Sequence, residues 1–226
     1  MKQITNLNER PAGQKRDGME FWEYGRSEAP TVLIQPVDEQ DLFAIEQEVQ
    51  MIRDLADNEF CLIAAKVGNW NHDLSPWRAP AVFGNEEFGD GAAETLEEIL
   101  MLCSCDDRPC CIGGYSLAGL FALWSAYQTD RFFGVAAASP SVWFPEFSDY
   151  MKGHRIKSKA VYLSLGDREE KARNPKLASV GSCIREGYET LQEQDISCIL
   201  EWNKGNHFRD AGSRTAAAFA WVLRNV

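Results

Sequence analysis

The stretch that decides the fold is Cys110-Cys111-Ile112-Gly113-Gly114-Tyr115-Ser116-Leu117-Ala118-Gly119-Leu120. It reads as a short buried strand, a tight turn of small residues carrying one serine, and the start of an apolar helix. A sharp strand-to-helix turn lifts a hydroxyl clear of a sheet, and small flanking residues let the strand and helix backbones come close. The helix start behind the serine has N–H groups without intrahelical acceptors, which suit a developing negative charge. The pattern for such a nucleophile elbow is G-x-S-x-G. Here Gly114-Tyr115-Ser116-Leu117-Ala118 has alanine in fifth place and Gly119 one position later, and alanine is still small enough for close helix–sheet packing.

Outward from this turn, apolar β-rich runs alternate with helical patterns. Strands are expected over 21–24, over 31–35 with Pro36 closing it, and over 60–67, 110–112, 134–139, 160–165 and 197–202. Helical spacing runs over 42–55 with Asp41 near its start, then over 92–103, from the elbow to 128, over a polar stretch 174–194, and over 210–223. Residues 68–91 form a long irregular stretch. Continuous apolar strands separated by helices predict an α/β protein with a mostly parallel central sheet and helices on both faces. In such sheets reactive groups gather at the carboxyl ends of the strands.

The whole chain is consistent with that reading. Its 226 residues, 45% hydrophobic and 11% aromatic, fit one large domain spanning 1–226 with a sizeable core and no large lid domain. A net charge of -11 argues against nucleic-acid binding, since a phosphate backbone would be repelled. No apolar run approaches the roughly 20 residues that span a bilayer, so no membrane partner is expected. Residues 1–10 lack an apolar signal core, so the expected compartment is cytoplasmic. The seven cysteines include Cys103, Cys105, Cys110 and Cys111, but their spacing forms no paired C-x-x-C knuckles and no histidine lies nearby. They read as small buried hydrophobes rather than metal ligands, and no metal, nucleotide or other cofactor motif appears.

A serine hydroxyl needs an adjacent base. The chain has three histidines, His72, His154 and His207. His207, in Lys204-Gly205-Asn206-His207-Phe208, follows the last strand, where a loop can reach the serine. His154 sits among basic residues, as in a solvated loop, and His72 lies in the long irregular stretch. The acid that orients the histidine should follow the preceding strand, in Leu165-Gly166-Asp167-Arg168-Glu169-Glu170-Lys171, where three carboxylates compete. The order serine, acid, histidine is the one expected on this type of sheet.

On these residues the chain resembles the α/β-hydrolase superfamily and, within it, the esterase family that includes esterase D, feruloyl esterases and siderophore esterases. The resemblance runs from about Phe21 to the C-terminus and rests on Gly114–Gly119, the Leu165–Glu169 loop and Gly205-Asn206-His207-Phe208. It implies the α/β-hydrolase fold and an acid three residues after the loop glycine, which is Glu169, with Asp167 as the alternative. It also implies an oxyanion hole from the N–H of Leu117 and a donor in the loop after Gln35. Relatives often have a His-Gly turn there. This chain has Gln35-Pro36-Val37-Asp38, and Pro36 has no N–H, which leaves Val37 as the candidate and Asp38 as the alternative.

The remaining site candidates lie around the expected cleft. Trp70, Trp77 and Arg78 in the long stretch, Tyr115 beside the serine, and Trp143 after another strand end would line a shallow, open pocket. The expected activity is hydrolysis of a small soluble ester through an acyl-enzyme on Ser116, without cofactor. Its rivals are an acyltransferase or thioesterase using the same residues, and a non-enzymatic binding protein of the same fold. A homodimer is kept open.

Overall fold

The computed structural model describes residues 11–226 except 17, 83 and 104–106. The stretch read for a signal, 1–10, and Cys105 lie outside the described residues. The strands are β1 (Gln14–Arg16), β2 (Met19–Gly25), β3 (Thr31–Val37), β4 (Phe60–Lys66), β5 (Cys110–Tyr115), β6 (Phe132–Ala138), β7 (Ala160–Gly166) and β8 (Ser197–Asn203). Together they form one sheet in the order β1-β2-β4-β3-β5-β6-β7-β8. The β1–β2 and β2–β4 pairs are antiparallel, and every pair from β4 to β8 is parallel. β5 therefore lies inside the sheet, with its carboxyl end between those of β3 and β6.

The helices are α1 (Glu39–Leu55), α2 (Trp70–Asp73), α3 (Ala92–Cys103), α4 (Leu117–Gln128), α5 (Phe147–Gly153), α6 (Pro175–Ala178), α7 (Val180–Glu193) and α8 (Ala211–Leu223). Strand side chains alternate between faces, so the inner strands feed two cores. Leu33, Leu62, Cys111 and Tyr162 point to α1 and α8, while Val32, Ile34, Ile63 and Ile112 point to α3, α4 and α7. Nearly all of α4 is buried, which explains its uniformly apolar sequence. Cys61, Cys103, Cys110 and Cys111 are all buried in these cores, and burial pushes the Cys111 thiol up to about 12. Among the described residues, no helix is long and apolar enough to cross a membrane.

Three departures from the sequence reading have a cause in named residues. Pro36 does not close its strand, because β3 continues to Val37. The carbonyl of Val37 accepts from Val67, so odd residues of β3 bond to β4 and even ones face β5. Pairing with β5 ends at Ile34, because Pro36, whose position faces β5, has no N–H with which to continue that ladder. Helix α1 starts three residues earlier than expected because Asp38 caps it, accepting from Gln40 and Asp41 N–H groups while Asp41 accepts from Asp38 N–H. The polar helix over 174–194 breaks at Ser179, whose hydroxyl bonds back to the carbonyl of Lys176. The irregular 68–91 stretch contains α2 and an Ala79–Phe88 bridge. Strand β1 and helix α5 had not been foreseen.

Candidate active site

Ser116 stands between β5 and α4 with φ 57° and ψ -117°, a backbone conformation that side-chain-bearing residues rarely adopt. The strain is held in place from both sides. The N–H of Ser116 donates to Ala138 on β6, and its carbonyl accepts from Leu120 and from Ser141. The turn needs its first glycine, because a Cβ on Gly114 would lie 2.6 Å from the Cβ of Ala118. The alanine that departs from the usual pattern thus fits, provided its partner carries no side chain.

His207 Nε2 lies 2.9 Å from Ser116 Oγ, and its Nδ1 lies 2.7 Å from Glu169 Oε2. Glu169 opens a 3₁₀ turn, Glu169–Lys171, directly after β7, and is only 7% exposed. Its other oxygen, Oε1, accepts from Gly166 N–H at 2.7 Å and from Ser139 Oγ at 2.8 Å. Burial alone would push the Glu169 carboxyl up. The hydrogen bond and charge of His207, with the Gly166 N–H and the Ser139 hydroxyl, hold it below its ordinary range. Of the three carboxylates in this loop, Glu169 is the one at the histidine. Asp167 instead accepts from Gly205 N–H at 2.8 Å, and Glu170 pairs with Arg185.

The expected oxyanion donors are placed differently from each other. Leu117 is the first residue of α4, so its N–H has no intrahelical acceptor and emerges beside the serine. Val37 requires a correction. A residue's N–H and C=O share one edge of a strand, and the Val37 carbonyl bonds β4, so its N–H faces β4 and not β5, which carries the serine. Asp38 N–H has the opposite orientation and meets Asp41 Oδ2 at 3.3 Å.

The pocket candidates separate into two groups. Tyr115 is at the site: its hydroxyl donates to the His207 carbonyl at 2.8 Å, and its ring lies 5.1 Å from the imidazole. Trp143 is half-buried, edge-on to Phe88, in the turn that follows Ser141, whose hydroxyl is 3.3 Å from Ser116 Oγ. Trp77 turns its ring into Phe144, Phe147 and Tyr150 and donates its indole N–H to Pro145, so it packs α5 down rather than walling a cleft. Trp70 packs against the core. The Arg78 side chain is 81% exposed and paired with Asp90. His72 contacts Asp73, and His154 stacks on Tyr150.

Several residues at the centre had escaped sequence reading. Ser139 bonds Glu169 from a left-handed backbone with φ 41°. Arg214, buried on α8, reaches Glu169 Oε1 at 3.1 Å. Phe208 is 91% exposed and sits edge-on to His207. Of these, Phe208 alone carried a local signal, its adjacency to the histidine.

No family model matches the chain, and no curated protein matches it by sequence. Solved structures do match. The siderophore hydrolase EstA from Aspergillus nidulans superposes with a TM-score of 0.72 at 18% identity, covering 100% of this chain and 98% of its own. An IroE-like serine hydrolase from Shewanella oneidensis gives 0.72 at 15% identity, covering 92% and 76%. The capsule O-acetyltransferase of Neisseria meningitidis serogroup A gives 0.60 at 10% identity, covering 99% and 98%. At these identities the likeness establishes the fold: the chain has the α/β-hydrolase fold. The siderophore hydrolase among these structures is of the kind that the sequence resembles.

Proposed function

We propose that the chain is a serine hydrolase, one α/β-hydrolase domain that cleaves a small soluble ester through an acyl-enzyme on Ser116. The observation that carries this reading is the continuous relay from Glu169 through His207 to Ser116, at 2.7 and 2.9 Å. With Glu169 ionised, His207 keeps its proton on Nδ1 and offers a basic Nε2 to the serine. The hydroxyl proton passes to Nε2 as Oγ attacks the ester carbonyl carbon. Leu117 N–H stabilises the oxyanion. Asp38 N–H is the second donor on that side, and the oxyanion would displace the Asp41 carboxylate from it. As the intermediate collapses, the C–O bond to the alcohol breaks and the imidazolium gives its proton to the departing oxygen. Water repeats the sequence and frees the acid. None of these steps calls for a cofactor, and the compartment we expect is the cytoplasm.

The test is labelling by a fluorophosphonate with peptide mapping. An adduct on Ser116, absent in Ser116→Ala and strongly reduced in His207→Ala, is expected. Folded wild-type protein that does not react would overturn the reading in favour of a ligand-binding role. Acyl transfer is the second reading, motivated by the end-to-end likeness to an O-acetyltransferase. It predicts that added acceptor alcohols divert the acyl group into new ester at the expense of free acid.

A further inference from the structure

Arg214 is the least expected residue at this site. It lies on α8, on the far side of the acid from the histidine, and is only 3% exposed. Burying a guanidinium costs several kcal/mol unless its donors are satisfied, and an apolar side chain would fill the same space without that cost. Here all the acceptors belong to the groups that aim the relay. Nη1 donates to Glu169 Oε1 at 3.1 Å, to Tyr115 Oη at 3.1 Å and to Ser139 Oγ at 3.2 Å. Nη2 donates to the carbonyls of Lys204 at 3.3 Å and Asn206 at 3.2 Å, which belong to the loop that carries His207. Tyr115 then passes the connection on to the carbonyl of His207 itself.

We infer that Arg214 is the positioning residue of this site, a single planar cation that fixes the acid and the histidine loop relative to each other. The inference rests on the hydrolase reading above. A guanidinium suits the task because its donors lie in one plane at fixed angles. One edge holds Oε1, leaving Oε2 directed at His207 Nδ1, and the other edge holds the loop carbonyls. Its charge also acts on the relay. It favours the ionised carboxylate, 3.1 Å away. The other groups facing this pair are Tyr115 from β5 and the hydroxyl of Ser139, while Asp167 is held by Gly205 N–H and Glu170 by Arg185.

The experiment measures kcat and KM on an activated aryl ester for wild type, Arg214→Lys and Arg214→Met. Rates are expressed per active site, counted by fluorophosphonate incorporation. Arg214→Met should lose about a hundredfold in kcat per site, the scale of an ångström-level misplacement, with little change in KM. Arg214→Lys keeps the charge without the fork, so kcat per site should still fall. A merely structural arginine would reduce the number of labelled sites only. Normal kcat per site in Arg214→Met would overturn the inference. If Arg214→Met does not fold, wild-type kcat per site in Arg214→Lys would overturn it alone. Wild-type protein that neither labels nor turns over would instead remove the hydrolase reading.

Discussion

Replacing Glu48 by glutamine removes one titration from the core while keeping side-chain shape and volume. Glu48 lies on α1 at 6% exposure, facing β3 and the start of α8, near Gly212. Burial, reinforced by the charge of Asp41 and opposed by a hydrogen bond from Gln35, pushes its carboxyl from 4.5 up to about 8. Glu48 Oε1 is buried without a hydrogen-bond partner, as is Gln35 Oε1, so an ionised carboxylate there is poorly satisfied. The unfolded chain gives up this proton near 4.5 while the folded chain keeps it to about 8. Between these values the unfolded state binds fewer protons, so stability falls as pH rises, by ~1.4 kcal/mol per pH unit. From about pH 5 to about pH 8 the loss amounts to ~3 kcal/mol once the rounding at each end is included. Glu48→Gln should therefore gain ~3 kcal/mol relative to wild type across that range. Asp41, also raised, to about 6, is present in both proteins and largely cancels in the difference. Urea unfolding followed by tryptophan fluorescence at several pH values measures this directly. A difference between variant and wild type that stays flat with pH would refute the argument and show that Glu48 is ionised in the folded protein.

Gly166→Ala places a Cβ 2.5 Å from Gly205 O, 2.9 Å from Glu169 Oε1 and 3.0 Å from Arg214 Nη1. It should lower kcat by at least about tenfold with little change in KM, read from steady-state kinetics. Glu169→Gln should cost about a thousandfold or more in kcat/KM, because an amide cannot stabilise the imidazolium. Asp167→Asn, at a carboxylate that accepts from the Gly205 N–H, should cost far less, and equal losses would show that the acid has been misassigned. Trp77→Ala should destabilise the fold by ~3 kcal/mol through lost packing against α5, while Arg78→Ala should change stability by less than about 1 kcal/mol. Paired thermal melts check both.

Local sterics wrote much of this protein into its sequence. Gly114 and Ala118 are small because a strand and a helix must meet within a few residues, and that need is visible in a short window. The same holds for the alternation of apolar strands with helices, which determined the sheet and its helical layers. The positions of Ser116, Glu169 and His207 just after β5, β7 and β8 followed from chain order, because parallel strands bring their carboxyl ends to one edge. Tertiary structure alone decided which edge of β3 the Val37 N–H faces, since that depends on ladder phase across two neighbouring strands. It alone turned Trp77 into the packing of α5. It also placed Arg214, one arginine on an amphipathic helix, against a carboxylate 45 residues earlier in the chain. No local pattern encodes such a contact. A buried charge is tolerated only where acceptors from several distant segments converge, and that convergence exists only once the sheet has formed.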